Sequence, residues 1–114
     1  LDFARGEFVF LENEPLLGLY VIIEGTAQMS LTDKMGQVQI IGQLEQGELF
    51  GEKASLISEQ ISDVSILAVE DLQVLLLDKN TLQTLLEHSP RLSNEIGEIM
   101  ELRRRAVRSF FNVA

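Results

Sequence analysis

Short segments with a repeat of two residues dominate the first 78 positions, and turn-forming residues separate them roughly every 8 to 12 positions. In residues 26–31 the apolar Ala27, Met29 and Leu31 alternate with other side chains, which predicts a strand with one buried face. The same period recurs at Val38/Ile40, Val64/Ile66/Ala68 and Leu72/Val74/Leu76, while residues 8–11 and 19–23 are continuous apolar runs typical of strands covered on both faces. Regular short strands favour a sandwich or barrel, and the missing strand–helix alternation disfavours a parallel α/β sheet.

The pattern becomes helical after Asp78. Asp78 can cap a short helix, and Ser89-Pro90 offers a second cap followed by a proline at the first helical position. A broad apolar stripe at helical spacing follows, and Arg103 falls inside it and interrupts it. The stripe comprises Leu92, Ile96, Ile99, Met100, Leu102, Ala106 and Phe110.

Size and composition fit one domain with a sizeable core. The chain has 114 residues, of which 46% are apolar, and no apolar run approaches the roughly 20 residues that span a bilayer. It contains no cysteine, which excludes disulfides and thiolate metal sites and favours a reducing compartment. The first residue is Leu1, not Met, so we expect the chain to be part of a longer protein.

Charge is divided unevenly along the chain. Residues 1–90 carry 15 acidic and 4 basic residues, whereas residues 91–114 carry 3 acidic and 5 basic residues. An acidic body repels phosphate backbones, so we expect no direct nucleic-acid binding by this part of the protein. The basic end could contact an acidic partner or a membrane surface, or it could be a solvated helix face.

The segment Gly47–Glu52, followed ten residues later by Ser62-Asp63, is the strongest candidate for a binding site. Gly51 would let a phosphate approach the backbone N–H closely, and the Glu52 carboxylate suits a ribose hydroxyl. A phosphate site also needs an arginine fork nearby. The alternative interpretation is structural, with Gly51 marking a bulge and Glu52 capping the next turn.

The wider pattern resembles the cyclic nucleotide-binding domain family of catabolite-activator-type regulators, kinase regulatory subunits and gated-channel cytoplasmic domains. The resemblance covers about residues 3–90 and falls in the family's order. It is carried by Arg5-Gly6-Glu7-x-Val9-Phe10, Glu12-Asn13-Glu14-Pro15, Leu19-Tyr20-Val21-Ile22-Ile23-x-Gly25, Gly47-Glu48-Leu49-Phe50-Gly51-Glu52 and Ala68-Val69-Glu70-Asp71. Asn13 stands where the family often has glycine, and asparagine tolerates the left-handed conformation.

The resemblance implies a mainly β fold, an antiparallel double-stranded β-helix or jelly roll of eight strands, with a short flanking helix and a longer C-terminal helix that responds to ligand. We place the jelly roll at residues 1–88 and the C-terminal helix of the same domain at residues 89–114. Carried onto this chain, Gly51 would offer its backbone to the phosphate, Glu52 would bind the ribose 2′-hydroxyl and Ala54 would lie in a short cassette helix. The implied ligand-binding positions are Phe50, Gly51, Glu52, Lys53, Ala54, Ser62 and Asp63.

The chain departs from the family at Ser62-Asp63, where the family has arginine followed by a small residue. Ser62 offers one neutral hydrogen bond, and Asp63 adds a negative charge beside the expected phosphate. A lost charge-assisted bond costs roughly 1.5–3 kcal/mol, and an opposing carboxylate 4 Å away at an effective dielectric of 20 adds about 4 kcal/mol. Lys53 is the nearby cation that could substitute. The sequence therefore predicts no cofactor, with cyclic AMP or cyclic GMP held weakly at best.

Enzymatic alternatives lack a constellation of reactive residues. A cupin-like metal enzyme shares the jelly roll, but His88 is the single histidine and serves most simply as the last residue of a short helix. Ser55, Ser58 and Ser62 have neither a histidine partner nearby in sequence nor a nucleophile elbow. We therefore expect no catalytic residues and no metal site. Tyr20, in an apolar strand, is expected in the core.

These observations predict a non-catalytic regulatory module with a degenerate phosphate-binding cassette. The alternative is a working cyclic AMP or cyclic GMP sensor with an altered phosphate contact. Expected partners are other domains of a larger signalling, channel, transporter or transcription-regulator protein, with a possible homodimer through the C-terminal helix and membrane association only through a segment outside this sequence. We expect a cytoplasmic location.

Overall fold

The structure, a computed structural model, describes residues 1–52 and 61–112, except for the side chains of Arg104 and of residues 107–112. Within these residues the strands come first and the helices last. The elements in chain order are β1 (Asp2–Phe3), β2 (Phe8–Phe10), β3 (Gly18–Glu24), β4 (Ala27–Thr32), β5 (Val38–Leu44), β6 (Leu49–Phe50), β7 (Ser65–Ala68), β8 (Leu72–Asp78), α1 (Lys79–His88) and α2 (Pro90–Asn112).

The strands form two four-stranded antiparallel sheets, in the orders β1-β8-β3-β6 and β2-β7-β4-β5. Each sheet mixes early and late strands, so most neighbours are distant in sequence, as a jelly roll requires. Alternation along β4 places Ala27, Met29 and Leu31 in the core, because successive side chains of a strand point to opposite faces. The predicted mainly β jelly roll is therefore confirmed.

Continuous apolar runs are only partly covered on both faces. In β3 the side chains are buried or nearly so from Leu19 to Ile22, but Ile23 is exposed. In β2 only Phe10 is buried, and Phe8 and the following Leu11 are exposed. The expectation of two covered faces was wrong at these ends, because each strand extends past the residues that pack across the core.

Both helices begin where the sequence indicates. The Asp78 carboxylate accepts a hydrogen bond from the Thr81 N–H at 2.8 Å, and the Ser89 hydroxyl accepts one from the Leu92 N–H at 3.2 Å. His88 ends α1, as expected. Hydrogen bonds from Thr81 hold the pKa of the Asp78 carboxyl below its usual range.

The long helix packs on the rest of the domain through the first half of its apolar stripe. Leu82 of α1 and Ile96 of α2 are fully buried, and Leu92 and Met100 pack against the same core. Helix α2 contacts α1 and β5, which places its middle turns over the edge of the second sheet. In the described part of the chain, neither helix is long and apolar enough to cross a membrane.

Candidate functional site

Gly51 follows β6 in a conformation that other residues rarely adopt. Its φ is +77°, and a side chain there would place Cβ 2.8 Å from the Gly18 carbonyl oxygen and 3.1 Å from Cδ1 of Tyr20. Both the backbone angle and the lack of space therefore require glycine.

An aromatic cluster packs against the turn at Gly51. The rings of Tyr20 and Phe50 stack with centroids 4.9 Å apart, and Phe10 lies 5.6 Å from Tyr20 and 5.8 Å from Phe50. Phe50 is fully buried, so its side chain fixes the turn from within the core. Tyr20 is a core residue, as predicted, and burial, with a further effect of the Glu14 carboxylate, raises the pKa of its phenol.

Glu52 binds an arginine from the C-terminal helix. Nη1 of Arg103 donates to both carboxylate oxygens of Glu52, at 2.7 and 3.1 Å, and Nη2 donates to the Leu49 carbonyl at 2.6 Å. The Glu52 side chain is only 9% exposed and that of Arg103 is 22% exposed. A buried carboxylate needs such a partner, because an unpaired charge away from water is costly.

Arg103 is the residue that sequence reasoning missed. Its position inside the apolar stripe predicts only a weakened stripe, and spacing alone does not predict its pairing with Glu52. In the structure the interruption marks where α2 passes from packing on the core to contacting β6 and the turn after it. A charged residue at an inward-facing helical position was the available signal, since such residues are buried only when paired.

Ser62 is 3% exposed, and its hydroxyl is engaged locally. It donates to the Val64 carbonyl at 2.6 Å and accepts from the Val64 N–H at 3.1 Å. The Ser62 backbone is held as well, by a bond from its N–H to the Glu14 carbonyl and one from the Asn13 N–H. Asn13 has the expected positive φ, of 69°. The hydroxyl therefore stabilises the start of β7 and does not reach outward as an arginine would.

Asp63 is exposed, unlike Ser62. Water around the Asp63 carboxylate weakens its repulsion of an anion 4 Å away, from about 4 kcal/mol at an effective dielectric of 20 to about 1 kcal/mol in bulk water. The absence of a guanidinium, more than the presence of Asp63, is therefore what distinguishes this position. Lys53 and Ala54, the remaining predicted site residues, lie outside the described residues.

A cavity of about 630 Å³ lies between the second sheet and α2. Its lining combines apolar side chains with four charged ones, Glu48, Glu95, Glu98 and Arg103. The walls are Met29, Ile41, Gly42, Gln43, Leu44, Gly47, Glu48, Leu49, Glu95, Glu98, Ile99, Leu102, Arg103 and Ala106. Because Arg103 belongs to both, the cavity adjoins the Glu52 pair.

Within residues 1–52 and 61–112 no group of three or more histidine, cysteine, aspartate or glutamate side chains is arranged to hold a metal ion. The local arrangement around Ser62 likewise offers no general base, since its hydroxyl bonds to backbone atoms. The described residues of this region form a glycine turn, a paired carboxylate and an adjacent cavity.

Comparison with known proteins agrees with this geometry. The family model described as cyclic nucleotide-binding domain matches residues 1–89. The chain belongs to the cyclic nucleotide-binding domain family. It is similar to the cyclic AMP receptor protein of Thermus thermophilus, with 28% identity over 103 residues, covering 90% of the chain and 47% of that protein. It is also 32% identical over 81 residues to human cGMP-dependent protein kinase 2, covering 69% of the chain and 10% of the kinase.

Solved structures show the same fold. The catabolite activator protein of Thermus thermophilus superposes with a TM-score of 0.84 and 26% identity, covering 99% of this chain and 53% of that one. A transcriptional regulator of Thermotoga maritima superposes with a TM-score of 0.79 at 20% identity, covering 96% and 84%. The chain thus spans about half or less of the length of the curated relatives it matches. It is a cyclic nucleotide-binding domain of the type found in regulatory proteins.

Proposed function

We propose that this chain is a non-catalytic regulatory module whose cyclic-nucleotide site has lost its phosphate anchor. The relatives named for cyclic AMP and cGMP suggest the ancestral ligand, and their length suggests that other domains carry the output. We expect the parent to be a signalling, transcription-regulator, channel or transporter protein in a reducing, cytoplasmic compartment, since the chain has no cysteine.

The observation that carries this proposal is the state of Ser62. Its hydroxyl is shared between the two backbone groups of Val64. Loss of a charge-assisted hydrogen bond weakens the binding free energy of a ligand by about 1.5–3 kcal/mol, which raises its Kd by a factor of roughly 10 to 150. A cyclic nucleotide with a Kd of about 1 µM would thereby become a ligand with a Kd of about 10 to 150 µM.

The link from pocket to helix supports a regulatory role despite that loss. Arg103 joins α2 to Glu52 and to the Leu49 carbonyl, so any event that alters the Glu52 carboxylate alters a contact that positions the helix. A helix held in this way can pass the state of the pocket to neighbouring domains or to a second copy. Dimerisation through α2 is part of this proposal.

Calorimetry with cyclic AMP and cyclic GMP tests the proposal on the full chain. We expect no saturable binding with a Kd of about 1 µM or lower for either ligand. Asp63→Ala alone should change the Kd of either ligand little, because that carboxylate is exposed. This variant therefore separates the effect of the Asp63 charge from the effect of the missing guanidinium. Saturable binding with a Kd of about 1 µM or lower by the unmodified chain would refute the proposal.

The second candidate is a working sensor with a different phosphate contact, and the nearness of the Arg103 guanidinium to the cavity favours it. Lys53, next to Glu52 in the sequence, is the other candidate cation. This candidate predicts ligand-dependent thermal stabilisation, about 2.7 kcal/mol at a hundredfold excess over Kd. It also predicts that the double variant Ser62→Arg with Asp63→Ala binds more tightly. No melting shift at millimolar nucleotide would exclude it.

A further inference from the structure

Strand β5 is the one long sheet edge that stays open within residues 1–52 and 61–112. The two sheets end at β1, β6, β2 and β5, of which the first three have two or three residues each. Strand β5 has seven residues, Val38–Leu44, and its neighbour in the sheet is β4. It contains neither a charged residue nor proline, which natural edge strands commonly carry to block the approach of another strand. The backbone N–H and C=O groups along its outer side are therefore open to pairing with a further strand.

One face of β5 presents uncovered apolar side chains. The register with β4 shifts so that Ile41 is an extra residue, and the residues on either side of this bulge pair regularly. Val38 is 69% exposed and Ile40 is 64% exposed. Gln39 between them pairs with the buried Leu31, so the exposed apolar pair faces away from the core. A strand added along β5 would cover this pair with apolar side chains on the same face.

The second half of β5 lies beside α2, which is acidic there. Both elements line the same cavity, and the α2 wall combines acidic and apolar side chains: Glu95, Glu98, Ile99 and Leu102. Leu102 is 66% exposed, so apolar surface remains next to the carboxylates. Lysine and arginine cover such surface with their methylene groups while their charged ends reach a carboxylate. Glu95 already pairs with Arg91 at 3.3 Å, but that pair is exposed and therefore weak, so a basic partner can compete for it.

Net charge decides between a second copy of the chain and a different partner. Residues 1–90 carry 15 acidic and 4 basic residues. Pairing β5 with the β5 of a second copy would bring two acidic bodies together, which like-charge repulsion disfavours. An extended segment that carries basic residues is attracted by the same field.

We propose that the open edge of β5 binds an extended peptide segment of a partner protein in which apolar and basic residues alternate. The backbone of the segment pairs with β5, its apolar side chains lie over Val38 and Ile40, and its basic side chains lie on the α2 side near Glu98. Neither Glu52 nor Ser62 takes part, so this binding does not depend on the proposed function.

Fluorescence anisotropy of the full chain with a labelled, capped octapeptide of alternating lysine and valine tests the proposal. We expect a Kd of about 10–100 µM at low salt that rises in about 0.5 M salt. Two control peptides, one with the same lysines and valines in separate blocks and one with glutamate in place of lysine, should bind at least about tenfold more weakly. Hydrogen exchange with saturating peptide should slow at the amides of β5 and stay unchanged in β8, which lies between β1 and β3.

Substitutions in the chain locate the binding. Ile40→Lys should raise the Kd at least about tenfold, because it removes an apolar contact and adds a like charge to the edge. Its control is Leu75→Lys, which alters a side chain that is 50% exposed on the central strand β8 and should leave the Kd unchanged. Glu98→Gln should raise the Kd at least about twofold at low salt, whereas Glu24→Gln, at an exposed position outside the cavity wall, should not. Circular dichroism confirms that each variant is folded.

Three results would overturn the proposal. The first is a Kd above about 1 mM for the alternating peptide, or equal Kd values for the alternating and control peptides. The second is protection from exchange that appears elsewhere in the chain and not in β5. The third is a dimer of the free chain in sedimentation that Ile40→Lys converts to a monomer, because a second copy would then occupy the edge.

Discussion

Replacement of Arg103 by methionine tests whether α2 is held on the pocket by charge pairing. Methionine keeps an unbranched side chain of similar reach and good helix propensity, but it removes the guanidinium. The variant loses the two bonds to the Glu52 carboxylate and the bond to the Leu49 carbonyl, and it leaves the carboxylate, which is 9% exposed, without this partner.

The magnitude follows from the burial of the two groups. Breaking a fully buried ion pair by removing one partner costs about 3–5 kcal/mol. Arg103 is 22% exposed, so water can reach part of the site after substitution. We therefore expect Arg103→Met to lower the free energy of unfolding by about 2–4 kcal/mol, a large share of the usual 5–15 kcal/mol of a domain.

The same helix supplies a matched control. Arg105 pairs with Glu101 at 3.0 Å, but the side chains are 68% and 44% exposed. Exposed pairs of this spacing contribute about 0.3–0.5 kcal/mol, so Arg105→Met should change stability by no more than about that amount. The two variants alter the same residue type two positions apart in α2, so helix propensity and net charge are matched.

Urea unfolding of each variant, with circular dichroism to confirm the fold, measures these differences. A double-mutant cycle with Glu52→Gln should give a coupling energy of about 1.5–3 kcal/mol that persists in about 0.5 M salt, whereas the exposed pair should lose its coupling there. The reasoning is refuted if Arg103→Met costs no more than Arg105→Met, or if the Glu52 coupling falls below about 0.5 kcal/mol.

Three further perturbations test the turn, the cap and the serine. Gly51→Ala should lower the free energy of unfolding in urea by about 2–4 kcal/mol, because of its φ of +77° and because Cβ would lie 2.8 Å from the Gly18 carbonyl oxygen. Gly97→Ala, in α2 with open space around it, is the control and should raise the free energy of unfolding by up to about 1 kcal/mol. Equal effects of the two substitutions would contradict this. Asp78→Ala should lower the thermal midpoint at neutral pH. Because the pKa of Asp78 is lowered in the folded state, the stabilisation by its carboxylate is present above the unfolded pKa near 4 and disappears as the pH falls through the folded pKa. A difference in thermal midpoint between variant and unmodified chain that persists at about pH 2 would count against the cap. Ser62→Ala should cost about 1–3 kcal/mol, because it leaves both Val64 backbone groups without this partner, and a loss below about 0.5 kcal/mol would show that water replaces the hydroxyl.

Alternation along a strand proved a good guide where a strand is long enough to show it. The prediction for residues 26–31 agrees with β4 to within one residue, because one face of that strand meets the core. By contrast, β1 and β6 have two residues each, too few to show any period. Their pairing depends on β8 and β3, which are distant in sequence, so a local pattern could not identify them.

Local conformation at the site was also accessible from the sequence. The positive φ of Asn13 and of Gly51 follows from residue types that tolerate it, and both positions were singled out. Which hydrogen bonds Ser62 would make was not accessible, because a serine can bond to its own backbone or to a ligand with equal ease. The outcome depends on how the segment before β7 is held by Glu14 and Asn13.

The pairing of Glu52 with Arg103 changes what the missing family arginine means. These two residues are 51 positions apart, and the contact depends on how α2 lies on the second sheet, which periodicity cannot specify. From the sequence alone, Ser62-Asp63 predicts a degenerate phosphate-binding cassette, with a working sensor that has an altered phosphate contact as the alternative. In the structure the Ser62 hydroxyl is bonded to the Val64 backbone, while Glu52 is tied to the helix through Arg103. Because Glu52 is compensated by Arg103 independently of any phosphate contact, loss of one end does not leave the other with an unpaired buried charge. Under the proposed function, the domain therefore keeps the connection between Glu52 and α2 even though the phosphate contact is lost.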